Sequence, residues 1–188
     1  SWFVLFSHPA DFTPVCTTEL LQLASMQSEF ESLGVKIAVI STDDINQHNN
    51  WKNHLEKIDY KNQGTHKIEF PIIDDSNRQV SLKYGMLHSP VSTAKDIRGV
   101  FVIDSDNTVR SVNFYPTEIG RNMDEIIRIV EALKTTEEAH ILTPVNWTKG
   151  DDVIISYRPF SLEYYKSNPK IYNDKYYSLN DVVWFRKT

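Results

Sequence analysis

The chain of 188 residues has one cysteine, so it cannot close an internal disulfide, and nothing in it calls for an oxidising compartment. A cytoplasmic location is therefore the expectation. The same scarcity rules out Cys-x-x-Cys, and His48, His54, His66, His88 and His140 show no His-x-x-x-His spacing. Structural zinc is not expected, nor any other metal. Apolar runs are short: Trp2-Phe3-Val4-Leu5-Phe6 falls far below the roughly 20 residues of a membrane helix and lacks the flanks of a signal sequence. Positive charge is also in deficit, with 20 Lys and Arg against 25 Asp and Glu, a net charge of −5 and a pI near 5.7. No basic field exists to draw in a phosphate backbone, so neither nucleic acid nor a membrane is an expected partner. There are no repeats and no low-complexity segments. The signature around a papain-like cysteine is absent, and no Gly-x-Ser-x-Gly occurs that would support a lipase-like serine.

With 40% hydrophobic and 12% aromatic residues, the chain can build one compact domain and a smaller appendage. The opening apolar run predicts a strand. Leu20, Leu23, Ala24, Phe30 and Leu33 recur at helical spacing up to Gly34, which predicts a helix over 14–33. Val35 to Thr42 is a β-branched run suited to a buried parallel strand, completing a βαβ unit. A more polar helix is predicted over 44–58 with Trp51, Leu55 and Ile58 turned inward, then a strand at 71–73 and a short helix over 77–84 closed by Gly85. The segments 99–104 and 109–115 flank the turn residues Asp104-Ser105-Asp106-Asn107 and predict a hairpin. Met123, Ile126, Ile127, Val130 and Leu133 mark a further amphipathic helix with Asn122 as its cap. From Leu142 the sequence turns to Tyr, Pro and Asp with little helical period, which places a boundary between a domain over 1–141 and an extension over 142–188. Ser1 running straight into a strand implies that the natural N-terminus lies upstream.

The surroundings of the lone cysteine carry the chemistry. A free cysteine is more often a small buried hydrophobe than a nucleophile, but Cys16 stands in His8-Pro9-Ala10-Asp11-Phe12-Thr13-Pro14-Val15-Cys16-Thr17-Thr18-Glu19. Thr13 suits a helix N-cap and Pro14 the first helical position, so Cys16 falls at the third. Unpaired backbone N–H groups and the positive end of the helix dipole there favour a thiolate.

Pro9, Thr13 and Cys16 fit the pattern Pro-x-x-x-Thr/Ser-x-x-Cys of the peroxiredoxins, and the stretch from Phe6 to Glu19 resembles their one-cysteine, peroxiredoxin-six type branch. The resemblance implies an α/β, thioredoxin-like fold with a central mixed sheet flanked by helices and a C-terminal extension that packs across a homodimer; Thr143 to Trp147 and Gly150 to Val153 resemble the start of that extension. It implies a thiol-specific peroxidase, acting on hydrogen peroxide and organic hydroperoxides without a cofactor. Cys16 would be the attacking sulfur, Thr13 would hold thiolate and peroxide through its hydroxyl, and Pro9 would shield the sulfur. Arg98, ahead of the run Gly99 to Ile103, matches the arginine that orients the peroxide. Arg121 in Gly120-Arg121-Asn122 would support it, paired with Glu19, and His8 would lie within reach of the sulfur. With no second cysteine, the sulfenic acid left on Cys16 needs an external thiol, either glutathione or a thioredoxin-type protein. An alternative on the same fold is a redox sensor or chaperone, oxidised once rather than turning over; a third is an inactive binding domain, which the set Pro9, Thr13, Cys16 and Arg98 argues against.

Overall fold

The computed structural model describes residues 1–157, 161–180 and 182–188. The chain divides into two compact units, Ser1–Met123 and Asp124–Thr188.

The first unit is built on β1 (Trp2–Ser7), α1 (Pro14–Ser32), β2 (Val35–Ser41), α2 (Ile45–Leu55), β3 (Ile72–Asp74), α3 (Gln79–Lys83), β4 (Arg98–Ile103) and β5 (Val109–Tyr115). Its five strands lie in the order β3-β2-β1-β4-β5, with β1, β2 and β3 parallel and β4 and β5 antiparallel. This is a mixed sheet with helices packed against it, as the sequence resemblance implied. β1 is central and covered on both sides, which explains why its residues are apolar without alternation. Phe6 meets Phe30 of α1 edge-on at 6.3 Å between ring centroids, while Leu5 packs with Ala38, Ile40, Met86 and Phe101. Burying a side chain of this size contributes about 1.5–3 kcal/mol, so these two clusters fix the register of the strands that carry the site.

Local chemistry sets the ends of the elements. Gly34 at φ +68° stops α1, in the left-handed conformation that a side chain resists. The Asp44 carboxylate caps α2 by accepting the N–H groups of Asn46 and Gln47, at 2.9 and 3.0 Å. α2 ends at Leu55, three residues short of the predicted end, because the chain turns through Lys57 N–H to His54 C=O and Ile58 N–H to Leu55 C=O. α3 is likewise shorter than predicted.

The second unit contains the rest of α4 (Met123–Thr135), then β6 (Ile141–Leu142), β7 (Val153–Ile155), α5 (Leu162–Ser167), α6 (Pro169–Lys175), β8 (Tyr176–Leu179) and β9 (Val183–Arg186). Its strands form a separate antiparallel sheet in the order β6-β7-β9-β8 around Ile141, Trp147, Val153, Ile155 and Trp184. Two short helices and four strands thus stand where the sequence showed little helical period. α5 and α6 have six and seven residues, too few turns to display a period. Within the second unit, Ala132 packs on the Trp147–Trp184 cluster.

Candidate active site

β1 delivers the site loop, residues 8–13, to the start of α1. Pro14 opens the helix, Cys16 is its third residue and the sulfur is completely buried. Thr13 occupies the N-cap with extended backbone, but its side chain does not cap. Its hydroxyl donates to Ala10 C=O at 2.7 Å, which leaves the oxygen's lone pairs as acceptors. Pro9 lies half-buried in the same loop.

β4 begins at Arg98, which is 2% exposed. Its Nη1 donates to Cys16 Sγ at 3.1 Å and to Glu19 Oε2 at 2.8 Å, while Nε and Nη2 donate to Thr117 C=O at 2.9 and 2.6 Å. Arg121 closes the cluster from the other side: Nε and Nη2 bind the two Glu19 oxygens at 2.9 and 2.7 Å, and its backbone N–H donates to Oε1 at 2.8 Å. Its Nη1 donates to Ser7 C=O and Gly99 C=O at 2.9 and 2.8 Å, and the guanidinium lies 5.3 Å from the Phe6 ring centre. Burial pushes the Glu19 carboxyl up, but the charge and hydrogen bonds of Arg121, joined by the charge of Arg98, outweigh it and hold Glu19 below the usual carboxylate range. Two guanidinium charges against one carboxylate leave one net positive charge beside the sulfur.

His8 is also completely buried, but its bonded ring nitrogen faces Asp11. Nε2 lies 2.8 Å from Asp11 Oδ1, and Nδ1 has no hydrogen-bond partner, so the expected reach to the sulfur is not realised as a hydrogen bond. The other Asp11 oxygen lies 2.6 Å from His48 Nδ1, and His48 Nε2 lies 3.1 Å from Ile73 C=O. Two acceptors around one ring require two donors, which only the imidazolium has. Burial opposes that charge, yet the hydrogen bond and charge of Asp11 and the Ile73 carbonyl raise His48 above the ordinary histidine value. Burial dominates at His8 and lowers it. Asp11 is desolvated too, but its bonds from His48 and His8 hold it below the usual range. Asp11 and His48 therefore form an ion pair, with neutral His8 donating into it.

His8, Asp11 and Asp43 bring three potential metal-ligand atoms within 4.8 Å of one another. The donors around them are already used, because Asp43 receives Lys95 Nζ at 2.6 Å, Asp11 N–H at 2.7 Å and the Ser41 hydroxyl at 3.3 Å. Charge is balanced there without an ion.

Sequence reasoning placed Cys16, Arg98, Glu19 and Arg121 in one region, and the structure brings these four together. It missed His48, Asp43, Lys95 and the Thr117 carbonyl. Asp11 stood inside the motif three residues after His8 and could have been found; His48, Asp43, Lys95 and Thr117 come from distant loops and elements, and no spacing announces them.

The comparisons agree with this architecture. The AhpC/TSA family matches residues 1–112, and the C-terminal domain of 1-Cys peroxiredoxin matches residues 132–158. A peroxiredoxin of Methanosarcina mazei is 46% identical over 163 residues, covering 86% of this chain and 74% of that protein. The mitochondrial peroxiredoxin PRX1 of Saccharomyces cerevisiae is 41% identical over 162 residues, covering 82% of this chain and 60% of its own length. Among solved structures, a cysteine-to-serine mutant of the peroxiredoxin 6 of Arenicola marina superposes with a TM-score of 0.81 at 28% identity, over 100% of this chain and 86% of that one. A yeast mitochondrial 1-Cys peroxiredoxin, described as resolved through glutathione/thioredoxin systems, also reaches 0.81, at 35% identity over 100% and 87%.

Proposed function

The chain belongs to the AhpC/TSA family of peroxiredoxins, in the one-cysteine type, and from that premise we propose how its site reduces hydroperoxides. Arg98 Nη1 at 3.1 Å from a buried Cys16 Sγ, inside a cluster one positive charge in excess, is the observation that carries the reading. The thiolate attacks one peroxide oxygen and the O–O bond breaks. Sulfur gains that oxygen as sulfenic acid, and the other oxygen leaves as an alkoxide or hydroxide that takes up a proton. Charge therefore moves from sulfur to the departing oxygen, and a fixed guanidinium that already touches the sulfur needs no reorganisation to follow it. Thr13 acts as an acceptor for the peroxide O–H, since its own proton is committed to Ala10. Pro9, half-buried in the loop that precedes α1, takes the role of shielding the sulfur in this reading.

A fully buried sulfur admits a small hydroperoxide more readily than a bulky thiol. The reductant, glutathione or a thioredoxin-type protein, therefore meets the sulfenic acid only after the first turn of α1 opens. It attacks sulfur, releases water and forms a mixed disulfide; a second thiol then restores Cys16. No helix among the described residues is long and apolar enough to cross a membrane. The need for an external thiol to restore Cys16 favours a reducing compartment such as the cytoplasm. It further assigns a homodimer. β5 is the outer strand of the first sheet and leaves Val112 and Phe114 44% and 42% exposed, an edge that a second copy would cover.

The test is the second-order rate at which one equivalent of hydrogen peroxide removes the Cys16 thiol, in native and in urea-denatured chain at one pH. The native rate should exceed the denatured one by orders of magnitude, and Cys16→Ser should consume no peroxide. Equal native and denatured rates would end the peroxidase reading. Steady turnover with added thiol, rather than a single stoichiometric oxidation, distinguishes the enzyme from a sensor.

A further inference from the structure

Arg98 is gripped at its side chain by Cys16, Glu19 and Thr117, but its backbone is held by something else. The β1–β4 ladder pairs Phe3 with Ile103 through Phe6 with Val100 and stops there. The next residues in register would be Ser7 and Gly99. At that point the Ser7 side chain takes the place of a ladder bond. Its hydroxyl donates to Ile97 C=O at 2.7 Å and accepts the Gly99 N–H at 2.7 Å, thus bridging the two peptide groups that enclose Arg98. Those two groups also meet each other, Gly99 N–H to Ile97 C=O at 3.1 Å, closing a three-residue turn with Arg98 at its apex.

The surroundings leave the hydroxyl no alternative. Ser7 is completely buried, and a Cβ on Gly99 would lie 2.9 Å from Ser7 Oγ and 2.9 Å from a Phe101 ring carbon. Only glycine at 99 lets the hydroxyl approach this closely. Arg121 Nη1 then binds the carbonyls of the same two residues, Ser7 at 2.9 Å and Gly99 at 2.8 Å. The sulfur's arginine and its supporting arginine are thereby tied to one short piece of backbone.

We propose that Ser7 is a positioning residue for peroxide reduction: its hydroxyl fixes the tight turn that aims the Arg98 guanidinium at Cys16. This inference rests on the peroxidase reading above. The hydroxyl touches neither sulfur nor substrate, and its effect passes wholly through Arg98. Displacing a positioning group by about 1 Å can cost up to a hundredfold in rate, so a lost bridge is visible in kinetics even when the fold survives.

The experiment is a double-mutant cycle on the rate of Cys16 oxidation by hydrogen peroxide, using the parent chain, Ser7→Ala, Arg98→Ala and the double variant, with near-UV circular dichroism checking that each is native. Ser7→Ala should slow oxidation by about ten- to a hundredfold in the parent and by less than about twofold once Arg98 is alanine, because the hydroxyl then has no guanidinium to aim. An unchanged rate for Ser7→Ala, or the same loss in both backgrounds, overturns the proposal while leaving the peroxidase reading in place. An Arg98→Ala variant at the parental rate removes arginine from the mechanism and Ser7 with it. Should Ser7→Ala not fold, Gly99→Ala forces the same bridge apart from its other side and replaces it in the cycle, with the same outcomes decisive.

Discussion

Glu19 and Asp96 are both buried carboxyl groups of the first unit, 3% and 0% exposed, and the protein treats them in opposite ways. Glu19 receives Arg98 on one side and three donors of Arg121 on the other. Asp96, two residues before Arg98, has no hydrogen-bond partner on either oxygen. Burial, with the carboxylates of Asp75 and Asp43 nearby, pushes it up to about 6, although the Ser81 hydroxyl and Lys95 ease part of the effect. Ser81 gives its hydrogen bond to Asp75, and Lys95 gives its own to Asp43. A buried carboxylate stays charged where positive charge is in excess and all its acceptor sites are filled; elsewhere the proton supplies the neutralisation. The first arrangement belongs beside a sulfur that must bear charge, and the second beside none.

Breaking the first side should have the largest effect. Glu19→Gln removes the carboxylate that pairs with two buried guanidinium ions and should cost about 3–5 kcal/mol in urea unfolding, the range for orphaning a buried charge. A loss below about 1 kcal/mol would mean that Arg98 and Arg121 satisfy each other's surroundings without it. The pH dependence follows from the depressed folded-state value of Glu19: its stabilisation is complete above the ordinary 4.5 and is lost as pH falls through the lower value.

Asp96 sharpens the comparison with the opposite sign. The unfolded chain releases its proton near 3.8 and the folded chain near 6, so the folded state binds more protons in between and stability falls as pH rises through that window. Asp96→Asn should match the parent below pH 4 and exceed it above pH 6 by at most about 3 kcal/mol, the equivalent of that shift. Thermal melts across pH 4–7 read this directly. Parallel curves for the two proteins would show that Asp96 finds a partner on ionising.

How much of this could be read beforehand differs between the same two places. The sulfur and its helix were legible because residues 8–19 form one continuous motif, and because Pro14 and Gly34 punctuate α1 locally. Arg98, Glu19 and Arg121 were found through the resemblance, since nothing local in Ile97-Arg98-Gly99 announces a sulfur ligand from α1. Asp96 reads as an ordinary loop acid, and its burial arises from chain segments far apart in sequence. The succession of β1 to β5 along the chain followed from apolar runs and turn residues, while their order in the sheet did not. The C-terminal sheet was not legible, because strands of two to four residues carry no alternation to detect.

Arg98→Ala tests the link between the charged cluster and the chemistry. Peroxide oxidation of Cys16 should slow by more than tenfold, at least about 1.4 kcal/mol of barrier, with Glu19 still paired to Arg121. Stability changes less than with Glu19→Gln, since one guanidinium is removed together with its charge rather than a counter-charge being taken from two. A variant as unstable as Glu19→Gln would show that Arg98 mainly holds the fold.

An exposed pair gives the smallest effect and fixes the scale of the other three. Lys67 Nζ lies 2.9 Å from Glu56 Oε2, nearly the distance seen between Arg98 and Glu19, but the Lys67 side chain is 80% exposed. Water and salt screen such a pair, and Glu56 keeps a second bond, from the Ile68 N–H at 2.9 Å, when the lysine is removed. Lys67→Ala should therefore cost less than about 1 kcal/mol in urea unfolding, and the difference should shrink further at 1 M salt. Glu19→Gln, whose charges lie out of reach of salt, should keep its full penalty there. If the two variants lost stability in proportion under the same salt, distance alone would govern these ion pairs, and burial would not be what separates the cluster behind Cys16 from the surface.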